Sequence, residues 1–257
     1  MSKNRIFALF LGSIFFTAFD FQTLHAQMKI KTQDSVSYTQ TPARGYLAEP
    51  ASGKNLPALV MIHEWFGLGE DVKRVADKYA KLGYVVLAVD LYDGKIGKTN
   101  DEARALSTAA KNNPEPVLKN LKAAFDFLKA KKEVNPNRIG SLGWCFGGGW
   151  SYQMAKNNLG VKVSVIYYGQ FQSDDDLKNV KSVILGHFAE KDATIQLEDV
   201  KKLEANLKQY PEKNHTLYTY PNTAHAFASR EGNNPVYDAT AAKLAWERTQ
   251  EFLKKNL

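Results

Sequence analysis

The segment Leu56–His63 (LPALVMIH) constrains the fold more than any other stretch of this chain. It holds no polar position before its closing histidine, so neither face of a strand built from it can meet water. Such a strand belongs inside a mostly parallel sheet whose two faces are both covered by helices. The flanking pattern supplies those helices. Asp71–Leu82 places Val72, Val75, Tyr79 and Leu82 at helical spacing, and Gly83 follows as a stop. Tyr84–Val89 is the next buried strand. Helices are expected over Asp101–Asn112, Pro116–Lys132, Gly148–Lys156, Gln196–Lys208 and Asp238–Lys255. Strands are expected over Arg138–Leu142, Val161–Tyr168, Ser182–His187 and His215–Tyr220. Ser35–Thr39 and Gly45–Ala48 read as a short edge hairpin around Thr41-Pro42. No Gly-, Ser- or Pro-rich linker breaks the pattern, so residues 27–257 are read as one α/β domain with helices on both faces of the sheet.

The first 26 residues read as an address. Lys3 and Arg5 precede an apolar run from Ile6 to Phe19, and Leu24-His25-Ala26 leads into a polar stretch. The run is roughly 14 residues long, short of the ~20 that span a bilayer. It fits a secretory signal peptide cleaved after Ala26, which implies a periplasmic or secreted protein without a stable membrane anchor. The charge of +7 comes from 34 basic and 27 acidic residues spread along the chain. Without a dense basic cluster interleaved with aromatics, nucleic acid is not an expected partner. A monomer is expected. The single cysteine rules out an internal disulfide framework and any Cys-based zinc cage.

That cysteine stands in Gly143-Trp144-Cys145-Phe146-Gly147-Gly148-Gly149, between a strand and a helix. G-x-C-x-G in this context is the pattern of a nucleophile elbow, in which the glycines let the backbone cross itself while the reactive side chain is lifted over the sheet. The turn aims the Phe146 N–H at the place where an oxyanion would form. The start of the following helix favours a thiolate. The competing reading is a buried cysteine in a tight turn.

An elbow nucleophile of this kind is followed in chain order by an acid and then a histidine, each just past a strand. After Ser182–His187 come Glu190 and Asp192, both candidates, with Asp192 preferred; its alternative role is helix capping. After His215–Tyr220 comes His225, the expected general base. His215 lies at the wrong end of its strand, and His187 reads as a core residue. The strand ending at His63 opens into Glu64-Trp65-Phe66-Gly67-Leu68, where the Trp65 N–H is the second oxyanion donor expected and Glu64 lies among aromatics beside the nucleophile. Phe66, Tyr92, Trp144 and Arg230 are candidate substrate contacts, and Trp65 and Tyr168 are further aromatics that could line the pocket.

These residues resemble the dienelactone hydrolase family of α/β hydrolases. The resemblance runs from about Ser35 to Leu253 and rests on IHEWFGL, AVDLY, GWCFGGG, YYG, KDATI, AHAF and ERTQEFL. It implies the α/β-hydrolase fold and a Cys145-Asp192-His225 triad. It also implies that Glu64 holds the thiol at rest and helps release the thiolate when substrate binds. The family's substrate-carboxylate clamp is not reproduced. Its arginine after D-L-Y falls near Gly94, its Ser after the triad His is Ala226, and its second arginine is Ser229, with Arg230 one step beyond.

Together these features describe a cysteine-dependent hydrolase of small esters or lactones, acting through an acyl-thioester and needing no metal or organic cofactor. A free thiol of pKa about 8.5 is only slightly ionised at neutral pH, so the neighbours must activate it. The alternatives are a degenerate relative that binds a small ligand and a thiol redox protein, for which the chain offers no resolving cysteine.

Overall fold

The structure, a computed structural model, describes residues 28–229 and 234–257. The expected leader (residues 1–26) and Arg230 lie outside the described residues. Eight strands form one sheet: β1 (Ile30–Val36), β2 (Gly45–Pro50), β3 (Leu56–Ile62), β4 (Val85–Val89), β5 (Val134–Trp144), β6 (Val163–Tyr167), β7 (Val183–Ala189) and β8 (Thr216–Tyr220). Their spatial order is β1-β2-β4-β3-β5-β6-β7-β8. β1 and β2 pair antiparallel, as do β2 and β4, and the remaining pairs are parallel. The helices are α1 (Glu70–Lys81), α2 (Asn100–Asn112), α3 (Pro114–Ala130), α4 (Phe146–Lys156), α5 (Leu197–Leu207) and α6 (Ala239–Asn256).

The apolar run of β3 is divided between the two faces of the sheet. Leu59 and Met61 pack in the layer that holds Val72 and Tyr79 of α1 and Leu253 of α6. Ala58, Val60 and Ile62 pack in the opposite layer, with Leu121 and Leu128 of α3 and Met154 of α4. Every residue of this run from Ala58 to Ile62 is fully buried, which is why no alternation is visible in the sequence. Register places the carboxyl ends of the parallel strands side by side. Ile62 lies opposite Gly143, Trp144 opposite Tyr167, Tyr167 opposite His187, and Ala189 opposite Tyr220. The loops leaving those ends share one edge of the sheet, where α/β folds of this class place their ligands.

Several element boundaries differ from the sequence expectation, and those of β1, β5 and α4 have a clear cause. β1 runs over Ile30–Val36 rather than Ser35–Thr39. Its residues Lys31 to Ser35 are exposed, so an edge strand with so little buried surface leaves a faint hydrophobic signal. Its pairing slips between Gln33 and Val36, where Ser35 has φ 57°. β5 begins at the buried Val134 and continues through Asn135-Pro136-Asn137, which are partly or fully exposed, before the buried run from Ile139 onward. α4 begins at Phe146, two residues before the expected Gly148.

The early start of α4 depends on its glycines. A Cβ on Gly147 would collide with Ile62 O and lie 2.5 Å from His63 O, and one on Gly148 would lie 2.6 Å from Tyr167 O. The first turn of α4 therefore rests directly on the backbone ends of β3 and β6. Gly147→Ala forces these backbones apart, an overpacking cost of about 2–3 kcal/mol. Urea unfolding should show a loss of that size together with reduced turnover, and an unchanged midpoint would show that the contact is not tight.

Candidate active site

β5 ends at Trp144 and α4 begins at Phe146, which leaves Cys145 alone in the turn with φ 51° and ψ −115°. A residue with a Cβ holds such a backbone only when its surroundings impose it, at about 1–3 kcal/mol. Here the Cys145 N–H donates to Tyr167 O at 2.9 Å and the Gly149 N–H donates to Cys145 O at 3.1 Å. The turn presents the half-buried thiol above the sheet edge, where its Sγ lies 3.1 Å from His225 Nε2.

His225 comes from the loop after β8 and Asp192 from the loop after β7. The ring donates through Nδ1–H to Asp192 Oδ2 at 2.8 Å, which leaves Nε2 facing the sulfur. The other carboxylate oxygen, Oδ1, accepts from the N–H of Thr194 at 2.8 Å, its hydroxyl at 2.8 Å and the N–H of Ile195 at 3.0 Å. Asp192 is thus buried with its oxygens satisfied. Burial alone would raise its pKa, but the His225 bond and charge and the Thr194 bonds outweigh it and hold the carboxyl below its usual value. Burial would likewise lower His225, yet its bonds to Asp192 and Cys145 and their charges raise it to about 10. The arrangement therefore favours a protonated His225 between Asp192 and Cys145.

Glu64 follows β3, and burial pushes its carboxyl up to about 6 against the opposing effects of a hydrogen bond from Ser229 and the charge of His225. The resemblance implied that Glu64 would hold the thiol. The structure instead joins the thiol to His225 and the carboxylate to Ser229, the residue standing in place of the family's second clamp arginine. Phe146 and Trp65 both line the cavity above Cys145, and neither backbone N–H has a hydrogen-bond partner among the described residues. Phe146 is the first residue of α4, where a helix leaves its N–H groups unsatisfied.

The cavity measures about 640 Å³ and also exposes Trp150, Tyr168, Phe171 and Thr194 beside His225. Three of the expected substrate contacts do not border it, which corrects that expectation. The Trp144 ring packs on Tyr167 in the core layer beneath α1 and α6, because alternate positions of β5 face opposite layers. Tyr92 is buried under the loop after β3, its hydroxyl donating to Trp65 O at 3.1 Å. Phe66 packs edge-on against Trp65 while its carbonyl accepts from the Gly97 N–H at 2.8 Å. Thr194 was overlooked, although an Asp followed two residues later by a threonine is a turn signal in its own right. Tyr168, expected among the pocket aromatics, does border the cavity, with φ 38° and its ring 5.2 Å from that of His225. His187 lies in the core between Tyr220 and Thr249, and His215 accepts from the Ile184 N–H at the far end of the sheet. Among the described residues no group of three His, Cys, Asp or Glu side chains is placed to hold a metal ion.

A mostly parallel sheet with a strained cysteine between strand and helix, an acid and a histidine on successive later loops, and helices on both faces is the arrangement of an α/β hydrolase. The chain belongs to the dienelactone hydrolase family, whose profile it matches over residues 43–257. It is 34% identical over 224 residues to the Aquifex pyrophilus protein named "Protein usf", covering 83% of this chain and 94% of that protein. It is 30% identical over 224 residues to the Bradyrhizobium protein named "Probable 2-oxo-3-(5-oxofuran-2-ylidene)propanoate lactonase", covering 82% and 89%. The crystal structure of a dienelactone hydrolase-like promiscuous phosphotriesterase from metagenomic libraries superposes with a TM-score of 0.78 at 22% identity, covering 90% of this chain and 99% of that one. The protein is accordingly a hydrolase.

The raised His225 pKa has a consequence for stability. A histidine that binds its proton more tightly when folded stabilises the fold fully below its unfolded pKa of 6.5, and that contribution is lost as pH rises through about 10. The stability gap between the wild type and Asp192→Asn, measured by denaturant unfolding, should therefore narrow from about pH 6 to about pH 10. A gap that widens on the alkaline side would contradict the ion pair.

Proposed function

We propose that the protein hydrolyses small carboxylic esters or lactones with Cys145 as nucleophile, through an acyl-thioester. The observation that carries this reading is the continuous relay from Cys145 Sγ to His225 at 3.1 Å and from His225 to Asp192 at 2.8 Å, opening into the cavity. His225, oriented by Asp192, takes the proton of the Cys145 thiol, and the thiolate attacks the carbonyl carbon. The carbonyl π electrons move to oxygen, and the N–H groups of Phe146 and Trp65 receive the oxyanion. Each such donor contributes roughly 3–4 kcal/mol in comparable sites. Collapse expels the alkoxide, which takes the proton from His225 Nε2; in a lactone this group stays attached to the acyl chain. Water then gives a proton to His225 and attacks the thioester, and the thiolate leaves as the acid forms. Tyr168, Trp150 and Phe171 offer an apolar wall for the acyl or alcohol portion. The lactonase name of the Bradyrhizobium relative supports this substrate class.

The reading extends to export. The charged start and short apolar run of residues 1–26 support a periplasmic or secreted enzyme, whose amino terminus after export should lie at or near Gln27.

A panel of short esters and lactones, with Cys145→Ala as blank, tests the chemistry. Iodoacetamide should label Cys145 and abolish turnover in step. Full activity in Cys145→Ala would refute the nucleophile. Glu64→Gln removes the carboxylate charge that acts on His225 and should lower turnover at least tenfold, or ~1.4 kcal/mol of barrier. Unchanged turnover with a lowered melting temperature would make Glu64 a structural anchor of its loop.

A further inference from the structure

We infer that His63 is a positioning residue that aims the Trp65 N–H into the oxyanion site, an assignment that rests on the Cys145 acyl-transfer reading. His63 is fully buried at the end of β3 and takes no part in the relay. Its Nε2 accepts from the Leu91 N–H at 3.2 Å, so the ring proton sits on Nδ1, which donates to Glu64 O at 2.6 Å. Burial lowers its pKa, which keeps the ring neutral and this tautomer in place.

The consequence follows from the planarity of the peptide unit. In a trans peptide the carbonyl of one residue and the N–H of the next point to opposite sides of the chain. The Glu64 carbonyl is drawn toward the core by His63, with a second donor in the Gly67 N–H at 3.3 Å. The Trp65 N–H, the other end of that same peptide, is therefore turned away from the core. It has no partner among the described residues, and Trp65 borders the cavity. The next carbonyl, Trp65 O, is held from the core side as well, by the hydroxyl of Tyr92. The His63 ring also lies parallel to that of Phe146, at 5.7 Å between centroids, so one side chain supports the loops carrying both donors. Rigid donors aimed before substrate arrives are what make an oxyanion site effective.

Alkylation separates this role from general support of the site. Iodoacetamide reacts with Cys145 by displacement at an sp³ carbon and forms no oxyanion, whereas ester hydrolysis does. Asparagine places its amide nitrogen where His63 has Nδ1, and glutamine places its terminal amide where His63 has Nε2. His63→Gln should lower kcat for esters at least about tenfold, with KM nearly unchanged and the Cys145 alkylation rate within about twofold of wild type. His63→Asn should recover most of kcat. Tyr92→Phe, a milder change to the same pinned loop, should lower kcat several-fold with alkylation unaffected.

Equal losses of alkylation and ester turnover in the folded variants would overturn the assignment, as would wild-type kcat in both His63→Gln and Tyr92→Phe. Failure of the nucleophile reading would show in the wild-type protein itself, as turnover that survives alkylation of Cys145, and would take this assignment with it.

Discussion

No side chain fits between the first turn of α4 and the backbone ends of β3 and β6, and the rest of the site depends on that contact. Because Gly147 lies against the carbonyls of Ile62 and His63, the elbow and the loop after β3 cannot move independently. Because the Cys145 N–H is tied to Tyr167 O, the strained turn is fastened to the neighbouring strand as well. The strain at Cys145 is thus held through the backbone, by the ends of β3 and β6, rather than by the cysteine's side chain. Helix propensity opposes a run of three glycines, and the chain accepts this local cost where close approach is required.

The electrostatics follow from the same arrangement. The helix start that the glycines bring close to β3 leaves the Phe146 N–H unsatisfied beside the sulfur. Asp192 is buried yet held in its charged form because Thr194 and Ile195 donate to one oxygen while His225 occupies the other. Glu64 has only Ser229 and the distant help of His225 against its burial, and its pKa moves the opposite way, to about 6. Two carboxylates at one sheet edge are thereby given different protonation behaviour by the donors each one finds.

The fold was legible because its strongest signals are local. A continuous apolar run such as β3 has few alternatives to a doubly covered parallel strand, and G-x-C-x-G between strand and helix marks the turn directly. Chain order then narrowed the acid and the base to Asp192 and His225, which the structure brings together with Cys145. What escaped was whatever depends on which side of an element a residue faces. Trp144, Tyr92 and Phe66 lie near the elbow in sequence or motif, yet aromatic character is the same in a core layer, under a loop or on a cavity wall. β1 escaped for the converse reason, since an edge strand with exposed polar residues has little hydrophobic periodicity to read. The partner of Glu64, Ser229, lies far along the chain past β8, and only the folded loops bring the two together.

The position of β8 at the border of the sheet has a different bearing. It is paired on one side only, to β7, and three of its five residues are just partly covered. Part of that cover comes from Arg248 of α6, whose guanidinium lies 3.9 Å from the centre of the Tyr218 ring. Cys145 is anchored in the middle of the sheet, while His225, the base of the proposed reaction, hangs from this margin. Marginal strands open at lower free energy than central ones. The two halves of the relay therefore sit in regions of unequal local stability, and fraying of one border separates base from sulfur while the central strands remain paired. Loss of function and loss of structure become distinct events in such a molecule, with the first set by the weakest margin and the second by the centre.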